Sequence, residues 1–433
     1  MFQKSQRLKR TQMIAVVFLT VAGIVNYLDR TTLSIANHSV SQELHLSGAQ
    51  VGLLLSAFSL AYAFAQLPVG ALLDRFGSRI MLGLGMLVWS LAQLAGGFIQ
   101  TLNHFLVARI VLGVAEAPLF PAGAKVVNEW FAVHERGGPT GTFIASSTIA
   151  PMIAPPLLTV LMLSFGWRTM FMIMGALGVL VAFGWYAVYR NRDEIALTEV
   201  EKAYLNEDAK VEEHVNDLSF AEWGNLFRLR NTWGMIFGFM GVIYMVWLYL
   251  TWLPGYLENE RHLSIAHTGW LVSIPYILGT CGMAGSGYIA DYLLKRGMAP
   301  IRSRKWPVCV GLIGAAAFTV PAAYTPSTSL AITYISLAMF FVNLASGGAW
   351  ALVSVAAPRH LVASLGSMQN FGGYLGGSFA PVITGIVVDQ THSFVNALLI
   401  SAGVAFAAAL VYLFVVKEVA PASASTPLTT QPS

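Results

Sequence analysis

The sequence predicts an all-α membrane protein, with twelve transmembrane helices in two six-helix bundles. Composition is the first reason. Of the 433 residues, 56% are hydrophobic and 11% charged, against about 25% charged in a typical soluble domain. No water-soluble fold of this length hides so much apolar surface. Length is the second reason: apolar runs of about 18 to 28 residues recur, each enough to cross a hydrocarbon core about 30 Å thick. Repetition is the third. The phrase Gly70-Ala-Leu-Leu-Asp74-Arg75-Phe-Gly77-Ser-Arg79 stands between two such runs. A looser copy, Gly287-Tyr-Ile-Ala-Asp291-Tyr-Leu-Leu-Lys295-Arg296-Gly297, follows 217 residues later. A repeat at half-length predicts a membrane domain built twice.

The elements follow in order. Met1–Arg10 is basic, with Lys4, Arg7, Lys9 and Arg10. The apolar segment behind it runs to about Ala36 and carries charges, unlike the shorter core of a secretory signal, so it is expected to remain as the first helix. The spans are expected near residues 13–36, 51–73, 80–99, 104–127, 140–163, 167–189, 232–256, 266–293, 306–323, 328–355, 361–388 and 392–416. Midway, Arg190 to Arg230 mixes acidic and basic residues with little apolar periodicity. It reads as a linker with short amphipathic helices at Leu197–Leu205 and Phe220–Phe227. The tail after Glu418 is small and polar, a composition that favours disorder. The expected organisation is a cytoplasmic segment 1–12, a first bundle 13–189, a cytoplasmic linker 190–231, a second bundle 232–416 and a disordered cytoplasmic tail 417–433.

Charge sets the orientation. Twenty-one of the 25 Lys and Arg fall on the N-terminal side of the membrane under this assignment, and only Arg168 and Arg261 fall opposite. The positive-inside rule then places both termini in the cytoplasm. The isoelectric point near 9.0 follows from this asymmetry and is no argument for nucleic acid. Cys281 and Cys309 lie 28 residues apart without a partner motif, so neither a disulfide framework nor a metal site is expected. No phosphate-binding loop of the G-x-x-x-x-G-K-[ST] type appears, and no other cofactor is implied. Paired halves of this kind are a hallmark of secondary transporters, so the energy is expected to come from an ion gradient.

Four ionisable residues fall inside spans: Asp29 and Arg30 in the first, Arg109 and Glu116 in the fourth. Each would cost roughly 2.5–3.5 kcal/mol facing lipid at the bilayer centre, so they are expected to face the interior. Arg109 and Glu116 are seven apart, close to two turns, and share a helix face. They differ by about 10 Å in depth. Glu116 is then near mid-membrane, with Asp29, Arg30 and Arg109 in the outer half. An Asp29–Arg109 salt bridge is the expected pairing, leaving Arg30 to meet an anion and Glu116 to carry a proton. Desolvation favours proton uptake by a buried carboxyl, and the guanidinium fork suits a carboxylate ligand. A fixed charge cluster that only locks helices is the plainer alternative.

A polar and aromatic lining is available beside these charges. Tyr62 and Gln66 are four apart; Ser146, Ser147 and Thr148 follow in the fifth span, and Tyr244, Trp247, Tyr249 and Trp252 in the seventh. Asn343, Ser346 and Trp350 stand in the tenth span, Gln369, Asn370 and Tyr374 in the eleventh. Gln66, Ser147, Tyr244, Ser346, Trp350, Gln369 and Asn370 are the candidates for ligand contact, since a polyhydroxylated ligand needs amide, hydroxyl and aromatic partners. For single Trp and Tyr residues, anchoring at the interface is the alternative. Asp74, Arg75, Arg79 and Asp291 lie at the cytoplasmic rim, where a gating or structural role fits better than ligand contact.

The repeated Gly–Asp phrase resembles the loop signature of the major facilitator superfamily, with the first copy the fuller match. Asn26-Tyr27-Leu28-Asp29-Arg30, Arg109 and Glu116-Ala-Pro-Leu-Phe-Pro121 resemble its anion:cation symporter (phthalate permease-like) branch. Within that branch, Ser219-Phe-Ala-Glu-Trp223, Trp252-Leu-Pro-Gly-Tyr-Leu257 and Ile383-Thr-Gly-Ile-Val-Val-Asp389-Gln-Thr-His-Ser-Phe394 look like the sugar-acid (galactonate, hexonate, hexuronate) permeases. The resemblance implies that Asp29 and Glu116 are protonation sites and that Arg30 and Tyr62 contact substrate. It further implies that Arg109 partners the aspartate and that Asn370 and Trp350 lie at the sugar. Ser146-Ser147-Thr148 departs from relatives that place a glutamine there.

The expected function is therefore proton-coupled import of a sugar-acid anion by alternating access. The partners are a small carboxylate, protons and the lipid bilayer of a bacterial inner membrane, and the family expectation is a monomer. An aromatic-acid symporter of the same fold is the alternative. A membrane sensor or an enzyme is a distant third, since no metal pattern or nucleophile elbow falls within the spans.

Overall fold

The structure, a computed structural model, describes residues 5–132, 135–205, 224–356 and 362–418. Among them it is helical throughout, without a strand. In chain order the helices are α1 Gln6–Glu43, α2 Gly48–Gly96, α3 Leu102–Glu116, α4 Leu119–Trp130, α5 Gly137–Val188 and α6 Glu199–Leu205. They continue as α7 Arg230–Asn259, α8 Ile265–Leu271, α9 Ser273–Lys295, α10 Pro300–Tyr324 and α11 Thr328–Ala356. The last three are α12 Val362–Gly377, α13 Phe379–Thr391 and α14 Val395–Val415.

Ten stretches among the described residues are long and apolar enough to cross a bilayer, against twelve expected. The counts differ at two places. Helix α5 runs 52 residues as one stretch, although it holds two expected spans on either side of Gly166. Helix α9 is diluted by Gly279, Gly282, Gly285 and Gly287 and is not among those ten stretches. The chain turns back at Gly77 (φ 75°, ψ 160°) and at Gly166 (φ 80°, ψ 161°), a backbone region essentially confined to glycine.

Caps fix where helices begin. Ser47 and Gln50 form a capping box at α2, with Gln50 N–H donating to Ser47 Oγ at 3.2 Å and Ser47 N–H to Gln50 Oε1 at 2.9 Å. At α1, Ser5 Oγ accepts from Leu8 N–H at 3.0 Å and itself donates to Glu201, so the short linker helix α6 docks on the base of α1. The linker helix expected at Leu197–Leu205 is thus seen from Glu199 to Leu205. Residues 206–223, with the Ser219–Trp223 phrase and the first half of the Phe220–Phe227 helix, lie outside the described residues, as does the chain beyond Glu418.

The 217-residue repeat is also written in the backbone. His45 (φ 52°) and His262 (φ 53°), both left-handed, sit at that offset. So do the helix caps Ser47 and Ser264 and the carboxylates Glu43 and Glu260. Glu43 accepts from Trp167 Nε1 at 2.6 Å and Arg168 Nε at 3.0 Å. Glu260 accepts from Ser393 Oγ at 3.0 Å and Phe394 N–H at 3.1 Å. Each carboxylate ties the end of a long helix to the turn between two later ones in its own half.

In the first half α1 and α2 pack on α5, and α3 on α2; in the second, α10 and α9 pack on α11, and α12 and α14 on α7. The halves meet where α13 and α12 cross α2, α1 meets α7, and α5 meets α8 and α9. Ser34 Oγ reaches Leu250 O and Thr251 O at 2.9 and 2.8 Å, and Val382 N–H donates to Ser56 Oγ at 3.2 Å. One end of the molecule, around residues 34–56, is therefore sealed between halves.

Candidate functional site

Helix α1 presents Asn26, Asp29 and Arg30 at three- and four-residue spacing, so they share an inward face. Helix α3 presents Arg109 and Glu116 two turns apart. All four charged side chains are buried, with exposures of 0% for Asp29, 3% for Arg30, 2% for Arg109 and 0% for Glu116.

The pairing differs from expectation. Arg30 Nε donates to Glu116 Oε2 at 2.8 Å. Arg109 Nε instead donates to the Leu54 carbonyl at 3.4 Å, and neither its terminal nitrogens nor the Asp29 oxygens have a hydrogen-bond partner. The expected Asp29–Arg109 salt bridge is thus not made here, and Arg30 and Glu116 are each other's partner. The choice of partner is set by azimuth: Arg30, one residue on, lies about 100° around α1 from Asp29 and faces Glu116.

Aromatic faces enclose the Arg30 guanidinium. Its central carbon lies 4.7 Å from the Tyr62 ring centroid, 4.9 Å from that of Tyr27 and 5.1 Å from that of Phe58. These rings continue into the second half, with Tyr62 and Tyr374 4.9 Å apart and Phe58 and Trp247 5.9 Å apart. One turn further along α2, Gln66 Oε1 accepts from Asn370 Nδ2 at 3.1 Å across the halves. Arg30, Tyr62, Gln66, Asn370 and Glu116 therefore form one constellation.

The remaining candidates are more scattered. Tyr244 is buried in α7, and Ser346 in α11. Ser147 Oγ donates to the Ile144 carbonyl at 2.8 Å. Gln369 is fully buried and donates to the Ala349 carbonyl at 3.4 Å, a contact inside the second half. Trp350 is 43% exposed, its ring against Phe239.

At the rim, Asp74 pairs with Lys125 at 2.9 Å and Arg79 with Glu194 at 2.9 Å, while Arg75 and Asp291 are exposed. A mixed-charge recess of about 800 Å³ opens there, lined by Asp74, Arg75, Lys125, Glu129 and Glu194, apart from the buried charges. Among the described residues no cluster of His, Cys, Asp or Glu could hold a metal ion.

Sequence reasoning passed over Tyr27 and Phe58 as ligands of the arginines. A signal existed: Phe58, Tyr62 and Gln66 recur every four residues on one face of α2.

Comparison with known proteins bears on the chain as a whole. The Major Facilitator Superfamily pattern matches residues 19–381. The "Probable L-galactonate transporter" of Escherichia coli (strain K12) is 48% identical over 416 residues, covering 96% of this chain and 92% of the relative. The "Probable galactarate/D-glucarate transporter" of the same strain is 33% identical, covering 94% and 95%. Among solved structures, a bacterial homolog of the human lysosomal transporter Spinster, in an inward-facing and occupied conformation, superposes with a TM-score of 0.78. It is 17% identical and the match covers 93% of this chain and 96% of that one, a likeness of fold alone.

Proposed function

The chain belongs to the Major Facilitator Superfamily, and from that premise we propose that it imports a sugar-acid anion with protons by alternating access. Transport of sugar acids is what the relatives support. The family is one of transporters, which sets aside the enzyme reading. Proton coupling is our reading of the buried charges.

The observation that carries it is the 2.8 Å pair of Arg30 with Glu116, at 1% and 0% side-chain exposure. While Glu116 is ionised it occupies the guanidinium that a substrate carboxylate would need. A proton on Glu116 removes that competitor, and the substrate carboxylate then supplies the counter-charge Arg30 requires. Proton and anion thus enter together, and neither is stable there alone. Asp29, with Arg109 near it, is the second protonation site. Gln66, Asn370 and Tyr62 offer amide and hydroxyl partners to the sugar hydroxyls. In the orientation set by the basic residues, the protein sits in the inner membrane with both termini in the cytoplasm. The sealed end then faces the periplasm, and Asp74, Arg75, Arg79 and Asp291 gate the opposite rim.

The test is uptake of labelled L-galactonate into proteoliposomes, with and without an inward proton gradient, against D-galactonate and an aromatic acid as competitors. Gradient-driven accumulation lost in Glu116→Gln and blocked only by sugar acids is expected. Flux indifferent to the gradient would remove the coupling, and competition by the aromatic acid alone would move the substrate to that class.

A further inference from the structure

The carboxylate of Asp389, on α13 of the second half, sits on the N-terminus of α2 in the first. Gly48 N–H donates to its Oδ1 and Ala49 N–H to its Oδ2, both at 2.7 Å. These are the first amides of the helix, which have no intrahelical acceptor, and the helix dipole adds to the attraction. The backbones are pressed together around this contact. A Cβ on Gly385 would meet the Gly48 carbonyl at 2.1 Å, and one on Gly52 the Pro381 carbonyl at 2.4 Å.

The internal repeat supplies a control. Its 217-residue offset carries Ser47 to Ser264, the α2 start to the α8 start and Gly52 to Gly269, where a Cβ would meet Thr159 Oγ1 at 2.3 Å. The same close seam between halves is thus built twice. The offset of 227 that relates Trp167 to Phe394, the two partners of Glu43 and Glu260, puts Met162 in the place of Asp389. Only the α2–α13 seam of this pair has a carboxylate at that position.

We infer that Asp389 is a positioning residue for transport: a latch that holds this end shut by capping a helix of the opposite half. Helix α2 carries Phe58, Tyr62 and Gln66, so the latch fixes the half-site built on α2 against the second half. It is suited to repeated opening. When the seam parts, water takes the two amides and the carboxylate, and no donor is left orphaned. An ion pair buried like that of Arg30 has no such exit. The inference rests on the alternating-access reading, while its test needs neither substrate nor proton gradient.

Amide hydrogen exchange on the full protein in lipid nanodiscs, resolved to single residues, tests it first without any variant. Gly48 and Ala49 are expected to exchange about tenfold slower than Ile265 and Ala266, their counterparts at α8. Asp389→Asn should erase that difference and leave exchange in the body of α7 unchanged. A second readout separates opening from local fraying. A thiol placed by Ser56→Cys, with Cys281→Ser to silence the exposed native cysteine, should react several-fold faster with a water-soluble maleimide when Asp389→Asn is added. Equal exchange at the two helix starts in the unmodified protein overturns the latch, even if the variant does not fold. So does an unchanged maleimide rate in a folded Asp389→Asn protein.

Discussion

The Phe58 ring centroid lies 4.9 Å from the guanidinium carbon of Arg109. The same ring stands 5.1 Å from that of Arg30, so one apolar side chain touches both buried cations. It also stacks on Tyr62 at 6.1 Å and meets Trp247 of the second half at 5.9 Å. Each such contact contributes about 0.5–2 kcal/mol. Phe58→Leu keeps apolar bulk but deletes the π face, and should slow uptake roughly tenfold. Phe58→Trp should retain most of it. Initial rates across substrate concentrations check this: a change in maximal rate common to all apolar substitutions, Trp included, would point to packing alone.

Gln66 and Asn370 meet at 3.1 Å across the halves. They are the amide pair best placed to exchange each other for sugar hydroxyls. Asn370→Leu should raise the apparent KM for a hexonate about tenfold, from the loss of one or two hydrogen bonds of about 0.5–1.5 kcal/mol. Inhibition by a sugar acid lacking hydroxyls near that amide should be unaffected. An equal loss for both ligands would mean that Asn370 only supports the seam.

The helical body of the protein was legible because lipid imposes a simple rule: a span needs length and apolarity, and both are countable. The repeat was legible for a similar reason, since Asp74 and Asp291 mark a register that His45 and His262 then follow in the backbone. The identity of the buried charges was equally plain, as Asp29, Arg30, Arg109 and Glu116 interrupt apolar runs. Their pairing was not. Rise per residue gives depth along one helix, but the rotation of α1 against α3 depends on packing that no single span records. Phe58 and Asp389 were missed for opposite reasons. A phenylalanine in an apolar run carries no mark, and an aspartate near a helix end is usually read as solvated.

The turn at Gly77 should tolerate no side chain. Its φ of 75° and ψ of 160° belong to glycine, and a Cβ there would also meet Asn191 Nδ2 at 2.5 Å. Asn191 cannot simply withdraw, because its Oδ1 accepts from Arg79 N–H at 3.0 Å. Gly77→Ala should therefore cost about 1–3 kcal/mol from the backbone alone, plus the displaced contact. Gly166→Ala has the same backbone strain with open space around the Cβ. Thermal unfolding in detergent should rank Gly77→Ala below Gly166→Ala, and the reverse order would mean that the Asn191 contact yields freely.

Docking of the linker on α1 should depend on acid. Glu201 accepts from Ser5 Oγ and, through Oε2, from Thr198 N–H at 3.0 Å. These donors, Ser5 first, hold its carboxyl below the usual carboxylate range. A carboxyl whose folded value is depressed stabilises the docked state above its unfolded value, and that contribution is lost as pH falls through the folded one. Helix α6 should therefore be docked at neutral pH and come free only in acid, below the ordinary glutamate value of about 4.3. In Glu201→Gln the titrating group is gone, so protection of residues 199–205 against hydrogen exchange, corrected for the intrinsic rate, should become flat across that range. A variant that keeps the wild-type acid dependence would assign it to another group and reduce the Ser5–Glu201 contact to an ordinary cap.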